Sequence, residues 1–160
     1  MVSLYIPAME ELRFREEMMN DEETMSYNRR WGGTIPFPPQ QWEKWYRKWI
    51  ANRDDKYFYR YVQDDHEFVG EVAYHLDDEK GIFLADVLIY APRRGKGYGK
   101  TALMLLCESA AKNGIKELYD NIAVGNPAIQ LFLRCGFEEE YRTEEYVMLK
   151  KTMLGSMFGD

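Results

Sequence analysis

Seven consecutive positions, Arg94-Gly95-Lys96-Gly97-Tyr98-Gly99-Lys100, carry three cations and three glycines. Glycines let a ligand approach main-chain N–H groups, and the cations add full positive charge. Where such a turn opens a helix, the unpaired N–H groups of the first turn and the helix dipole favour an anion. The chemistry implied is the binding of a small phosphate-bearing ligand. Two carboxylates stand out for another reason. Glu71 and Asp86 interrupt apolar or β-favouring runs, where an acid is costly unless it is used or paired. They are candidate general bases, against the plain alternatives of an ion pair or a solvent-facing strand position. His75 is a third candidate, read better as a turn-edge residue beside Asp77-Asp78.

The surrounding pattern supplies the elements that must hold these residues. Val87-Leu88-Ile89 ends a strand spanning Ile82 to Tyr90, and Ala102, Leu103, Leu105, Leu106 and Ala110 then describe a helix from Tyr98 to Lys112, stopped by Gly114. Ahead of the loop, Lys56–Tyr61 and Glu67–His75 pair through Asp64-Asp65, and Asp77–Gly81 turns into the strand at Ile82, giving an antiparallel meander. Ile115–Val124 follows as a strand parallel to Ile82–Tyr90 across the helix. Asn126 is the N-cap and Pro127 the first residue of a helix running to Gly136, and Phe137–Arg142 pairs with Glu145–Lys150 as a last hairpin.

At the N-terminal end, Ser3–Ile6 is a strand candidate, and Met9, Leu12, Phe14 and Met18 mark a helix ending near Asn20-Asp21. Asn28–Pro39 holds half of the six prolines and is expected to be a loop. Beyond it Trp42, Trp45, Tyr46 and Trp49 recur as on one helix face, a stripe assigned to core packing.

Gly99-Lys100-Thr101 ends like a P-loop, yet the leading glycine would fall at position 94, which is Arg94. The same arginine completes Arg94-x-x-Gly97-x-Gly99. That pattern resembles the acetyl-CoA signature of the GNAT superfamily of N-acetyltransferases. A second anchor, Asn126-Pro127-Ala128-Ile129-Gln130-Leu131-Phe132-Leu133-Arg134-Cys135-Gly136-Phe137, looks like the family's helix beside the coenzyme thiol.

The resemblance runs from the first helix to the last hairpin. It implies an α/β (α+β) fold with a mixed, mostly antiparallel sheet of about seven strands and about four helices, splayed at the acetyl-CoA site. It further implies an enzyme that transfers an acetyl group from acetyl-CoA to a primary amine by direct attack in a ternary complex. Around the cosubstrate it sets Leu88, Ile89, Arg94, Gly95, Lys96, Gly97, Tyr98, Gly99, Lys100, Asn126 and Phe132, with the Ile89 N–H on the acetyl carbonyl. Tyr27, Asn28, Trp31 and Tyr74 are its acceptor-binding candidates. The chain departs from the pattern at two places. Asn126 stands one residue nearer Ala128 than is usual, and Phe132 takes the place of a tyrosine that protonates the thiolate. Phenylalanine has no proton to give, so either solvent or another hydroxyl serves, with Tyr98, Tyr90 and Tyr141 as candidates, or the protein has weak activity, or it is a non-catalytic acyl-CoA sensor.

A chain of 160 residues with 46% hydrophobic content suits one core, so residues 1–152 are expected to form a single domain and 153–160 a tail. The net charge of −6 argues against a nucleic-acid partner, because phosphate backbones demand a basic face. Cys107 and Cys135 are expected to be buried, reduced thiols, and no metal-ligand spacing occurs. Neither a signal peptide nor a long apolar window is evident, so the expected location is cytoplasmic, away from membranes. The acceptor stays open among peptide N-termini, lysine, polyamines and aminoglycosides. Apolar Met153, Leu154, Met157 and Phe158 suggest a possible homodimer surface.

Overall fold

Strand-forming segments dominate the chain on either side of one long crossover helix, and in the computed structural model, which describes residues 1–153, they join into a single sheet. The strands are β1 (Val2–Tyr5), β2 (Tyr57–Asp64), β3 (Glu67–Asp77), β4 (Ile82–Ile89), β5 (Glu117–Ala123), β6 (Glu138–Arg142) and β7 (Tyr146–Thr152). Their spatial order is β1-β2-β3-β4-β5-β7-β6. Every neighbouring pair is antiparallel except β4 and β5. Those two run parallel because α3 (Tyr98–Lys112) carries the chain back between them. The other α-helices are α1 (Leu12–Asn20), α2 (Pro39–Trp49) and α4 (Ala128–Arg134). This is the expected mixed sheet.

Alternation along β3 divides the molecule into two faces. Val72 and Tyr74 point into a core built with Ala102, Leu103, Leu106 and Ala110 of α3. Ala73 points to the opposite side, with Tyr59 and Tyr61 of β2 against Trp45 and Trp49 of α2. A third cluster joins Leu12, Met18 and Met19 to Phe37, Trp42 and Leu88 on that same second side.

β4 and β5 are in register only at Phe83/Leu118 and Leu84/Tyr119. Beyond that point they part, and the gap opens into a cavity of about 1040 Å³ lined on one bank by Asp86–Ile89 and on the other by Asp120–Val124. One glycine fits β3 against the diverging β4. A Cβ on Gly70 would stand 2.3 Å from the Leu88 carbonyl oxygen. Gly70→Ala must therefore push β4 outward and is expected to cost roughly 2 kcal/mol, as overpacking does, read as a lowered urea midpoint.

Some local expectations shift. Thr24–Trp31 is a 3-10 helix, so Asn28–Trp31 lies in an element whose short-range bonding needs no apolar period. It ends at Gly32 and Gly33, both with positive φ, where the Asn28 side chain donates to the Gly33 carbonyl (2.8 Å). α4 starts at Ala128 rather than Pro127, though Asn126 still caps it by accepting the Ala128 N–H at 2.9 Å. Met153, expected in the tail, is buried and donates its N–H to Lys116. Leu154, Met157 and Phe158 lie outside the described residues.

Candidate active site

The glycine turn is built by backbone geometry that side chains resist. Gly95 and Gly97 have φ of 85° and 81°, and Gly97 caps α3. Gly99 serves packing instead, since a Cβ there would come 3.2 Å from Leu131 of α4. Gly95, Gly97, Tyr98 and Gly99 line one end of the cavity together with Asn126 and Phe132. Arg94 lines it too, while its guanidinium donates to the carbonyls of Ile89 (3.1 Å), Glu23 (3.4 Å) and Thr24 (3.1 Å). Arginine has about five N–H donors, so part of its capacity stays available to an anion. Lys96 and Lys100 are exposed and stand off the cavity wall. Buried Thr24 accepts the Ala91 N–H at 2.9 Å, which clips the 3-10 helix to the end of β4.

Main-chain parity sets the β4 bank. Tyr90 donates its N–H to the Val69 carbonyl on β3 (2.9 Å). By antiparallel alternation the Ile89 N–H points the other way, into the gap that β5 has left. The same alternation turns the Leu88 main chain toward β3, so Leu88 meets the cavity through its side chain.

The far end of the cavity is aromatic and acidic. Arg15 donates to Glu71 at 2.8 Å, and the Tyr59 hydroxyl donates to the same carboxylate oxygen. The Arg15 guanidinium stacks on Trp45 (4.7 Å), Phe37 (4.9 Å) and Tyr59 (5.7 Å). Burial, the largest single influence, lowers the pKa of Arg15, but the charges and hydrogen bonds of Glu71 and Tyr59 together outweigh it and the net shift is upward. Asp86 is open to the cavity but deep in its wall. Burial pushes its carboxyl up to about 6, the Glu71 charge adds to this, and Arg15 opposes it. Asp120 on β5 is raised well above the usual range by burial and then by Asp86, with the Asn121 N–H opposing. Tyr27, its ring half exposed, has its hydroxyl pushed up to about 12 by burial and by Glu71, Asp86 and Asp120.

Of the acceptor candidates, Tyr27, Asn28 and Trp31 line this end, while Tyr74 does not. Tyr74, like Val72, faces α3 and is buried there, accepting from Asn113 at 2.8 Å. The tryptophan stripe also divides. Trp42 packs in the core as expected, but Trp45 and Trp49 form cavity wall. His75 is no turn-edge residue, because its ring is half-buried against Trp49 (5.6 Å) and Tyr57 (6.2 Å).

Three residues of the site were missed in the sequence. Arg15 and Tyr59 belong to ordinary helix and strand patterns that carry no signal of their role. Asp120 did carry one, being an acid between Leu118 and Ile122, the same anomaly that singled out Asp86. The hydroxyls proposed to replace a tyrosine at position 132 are engaged elsewhere. Tyr98 donates to Asp64 (2.7 Å), Tyr90 to Glu17 (3.1 Å), and Tyr141 lies 3.4 Å from the Tyr146 hydroxyl on the outer strands. Phe132 is buried edge-on against Phe137. Both cysteines are buried, which pushes the Cys107 thiol up to about 11 and leaves it a poor nucleophile. Among the described residues no helix is long and apolar enough to cross a membrane.

The model of the GNAT acetyltransferase family matches residues 15–137. An uncharacterized N-acetyltransferase of Bacillus subtilis (strain 168), YycN, is 34% identical over 92 residues, 55% of this chain, and the match spans 56% of that relative's length. Among solved structures, the spermidine N-acetyltransferase of Vibrio cholerae, in complex with CoA and spermine, superposes with a TM-score of 0.79 at 21% identity over 98% of each chain. The aminoglycoside acetyltransferase AAC(6')-Ib with coenzyme A gives 0.78 at 16% identity, covering 99% of this chain and 98% of the other.

Proposed function

The chain belongs to the GNAT acetyltransferase family, and on that premise we propose that it transfers the acetyl group of acetyl-CoA to a primary amine by direct attack in a ternary complex. One observation carries the reading. A single cavity runs from the glycine turn, through the gap between β4 and β5, to the chamber walled by Trp45, Trp49, Glu71 and Asp86. Anion site, reactive centre and acceptor chamber are thus continuous, as a two-substrate reaction without a covalent enzyme intermediate requires.

In this reading residues 1–152 act as one domain. The N–H groups at Gly97–Gly99, the start of α3 and the remaining Arg94 donors hold the pyrophosphate. The Ile89 N–H donates to the acetyl oxygen, where a preorganised donor stabilises the developing charge by roughly 3 kcal/mol. Asp86 takes the amine proton, being ionised at neutral pH yet basic enough to act. Glu71 and Asp86 set two carboxylates against the one charge of Arg15, which favours a cationic acceptor, and the tryptophans offer faces to its alkyl or ring portions. Small amines such as polyamines or aminoglycosides, the substrates named for the two similar solved proteins, suit such a chamber.

Charge reversal tests the loop. Arg94→Glu loses charge-assisted contacts of about 1.5–3 kcal/mol and should weaken CoA binding by about 10- to 100-fold in calorimetry. Unchanged affinity would remove the glycine turn from the proposal. Phe132 supports a second reading, an acyl-CoA sensor without turnover. Release of CoA thiol with an amine panel separates the two, since a sensor binds and releases none.

A further inference from the structure

The departing thiolate needs a proton that neither Phe132 nor the engaged tyrosine hydroxyls supply. We infer that Asp120 is the acid that protonates the thiolate, and that with Asp86 it passes the acceptor's proton from the amine side of the sheet to the sulfur side. This rests on the acetyl-transfer reading of the same cavity and deepens it.

β4 and β5 separate beyond their two registered pairs. Leu84/Tyr119 is their last registered pair, so Asp86 and Asp120 stand at the crotch of the gap. They reach it from opposite faces. Asp86 shares a face with Leu88, which packs in the cluster of α1 and α2. Asp120 shares a face with Leu118 and Ile122, which pack in the α3 core together with Phe132. The acceptor chamber, with Trp45, Trp49 and Glu71, lies on the Asp86 side. Phe132, where the sequence pattern leads one to look for an acid, lies on the Asp120 side. Both carboxyl groups line the cavity.

Protonation states agree with this division. The groups facing the pair are Glu71 from β3, Arg15 from α1, Tyr59 from β2 and Tyr27 from the 3-10 helix. Arg15, the nearby cation, is spent on Glu71 and is the weakest of the influences on Asp86. Burial and the Asp86 charge keep the Asp120 proton in place while Asp86 ionises. One carboxylate and one carboxylic acid then line the same gap.

The step balances. The ammonium first yields one proton to solvent, and the neutral amine attacks the carbonyl carbon as the C=O pair moves onto oxygen. The nitrogen of the adduct gives its remaining excess proton to Asp86. The C=O bond re-forms, the C–S bond breaks with its electron pair on sulfur, and Asp120 gives its proton to the thiolate. The proton on Asp86 passes to Asp120 and restores the starting state. Amide and free thiol leave, and the pair ends with the single proton it began with.

Asp120→Asn keeps size and polarity but cannot donate a carboxyl proton. Its kcat is expected to fall about 100-fold, the scale of one general acid, with KM for acetyl-CoA and amine within about threefold of the native chain. The alkaline fall in native rate should vanish, and Asp120→Glu should recover part of kcat. CoA affinity by calorimetry checks that the site is intact. In the native chain, carbon-13 NMR should show the Asp120 carboxyl still protonated at neutral pH, a measurement that holds even if the variant misfolds. An ionised Asp120 at neutral pH, or an Asp120→Asn enzyme with native kcat and pH profile, overturns the acid role while leaving acetyl transfer standing. A native chain that binds CoA but releases no thiol with any amine overturns the parent reading, and the acid role with it.

Discussion

Asp86→Asn is expected to lower kcat by about 10²- to 10⁴-fold while CoA affinity stays near native, because the substitution removes the group proposed to accept the amine proton. Native kcat/KM should rise with pH through about 6, as Asp86 ionises. The same substitution has an opposite effect on stability. The folded pKa of Asp86 is raised above its unfolded value, so between about pH 4 and pH 6 the folded chain binds more protons than the unfolded one. Its contribution to stability is then fully present below the unfolded pKa and lost as pH rises through the folded pKa. Asparagine does not titrate. Asp86→Asn should therefore melt higher than the native chain near pH 8, with the gap closing toward pH 4. A variant that is less active and no more stable at pH 8 would mean that the carboxyl is not held in its charged form at a cost.

Glu71→Ala is expected to act mainly on folding, with a loss of about 3–5 kcal/mol. Glu71 holds the Arg15 guanidinium and accepts the Tyr59 hydroxyl beneath an aromatic lid of Phe37 and Trp45. Removing it leaves a charge enclosed without its partner. Arg15 Nε already lacks a hydrogen-bond partner, so little spare capacity exists there to absorb the loss. Urea unfolding followed by circular dichroism gives the free energy. Glu71→Gln, which keeps an acceptor oxygen, should lose less. A fully stable Glu71→Ala chain with impaired kcat would instead make Glu71 the base and demote Asp86. The two carboxylates singled out together in the sequence thus take separate parts, and the reason is local: one found a cation, the other did not.

That separation shows where local pattern stops being informative. The glycine turn, the α3 span and the hairpins follow from spacing over a few residues, and the structure reproduces them. Asn28–Trp31 went astray because a 3-10 helix imposes no apolar period to read. Tyr74 and His75 are neighbours on one strand, yet one faces α3 and the other the Trp49 wall. Alternation predicts that they part, but which face meets the cavity depends on how α2 and α3 dock. Trp45 and Trp49 have the spacing of core residues and pack on Tyr59, Tyr57 and His75, yet each also forms cavity wall.

By itself, the sequence determined the glycine-rich cationic turn, the order of strands and helices, the two anomalous acids and the absence of a hydroxyl at Phe132. These are local facts of residue type and period. Only the tertiary structure decided that Arg15 neutralises Glu71, that Asp120 joins Asp86, and that the expected tyrosines are engaged elsewhere. Such pairings depend on segments distant in the chain being brought together, by the docking of α1 across β3 for Arg15 and Glu71, and by the β4–α3–β5 crossover and the parting of its two strands for Asp86 and Asp120. No spacing along the chain encodes which carboxyl groups will then share one gap.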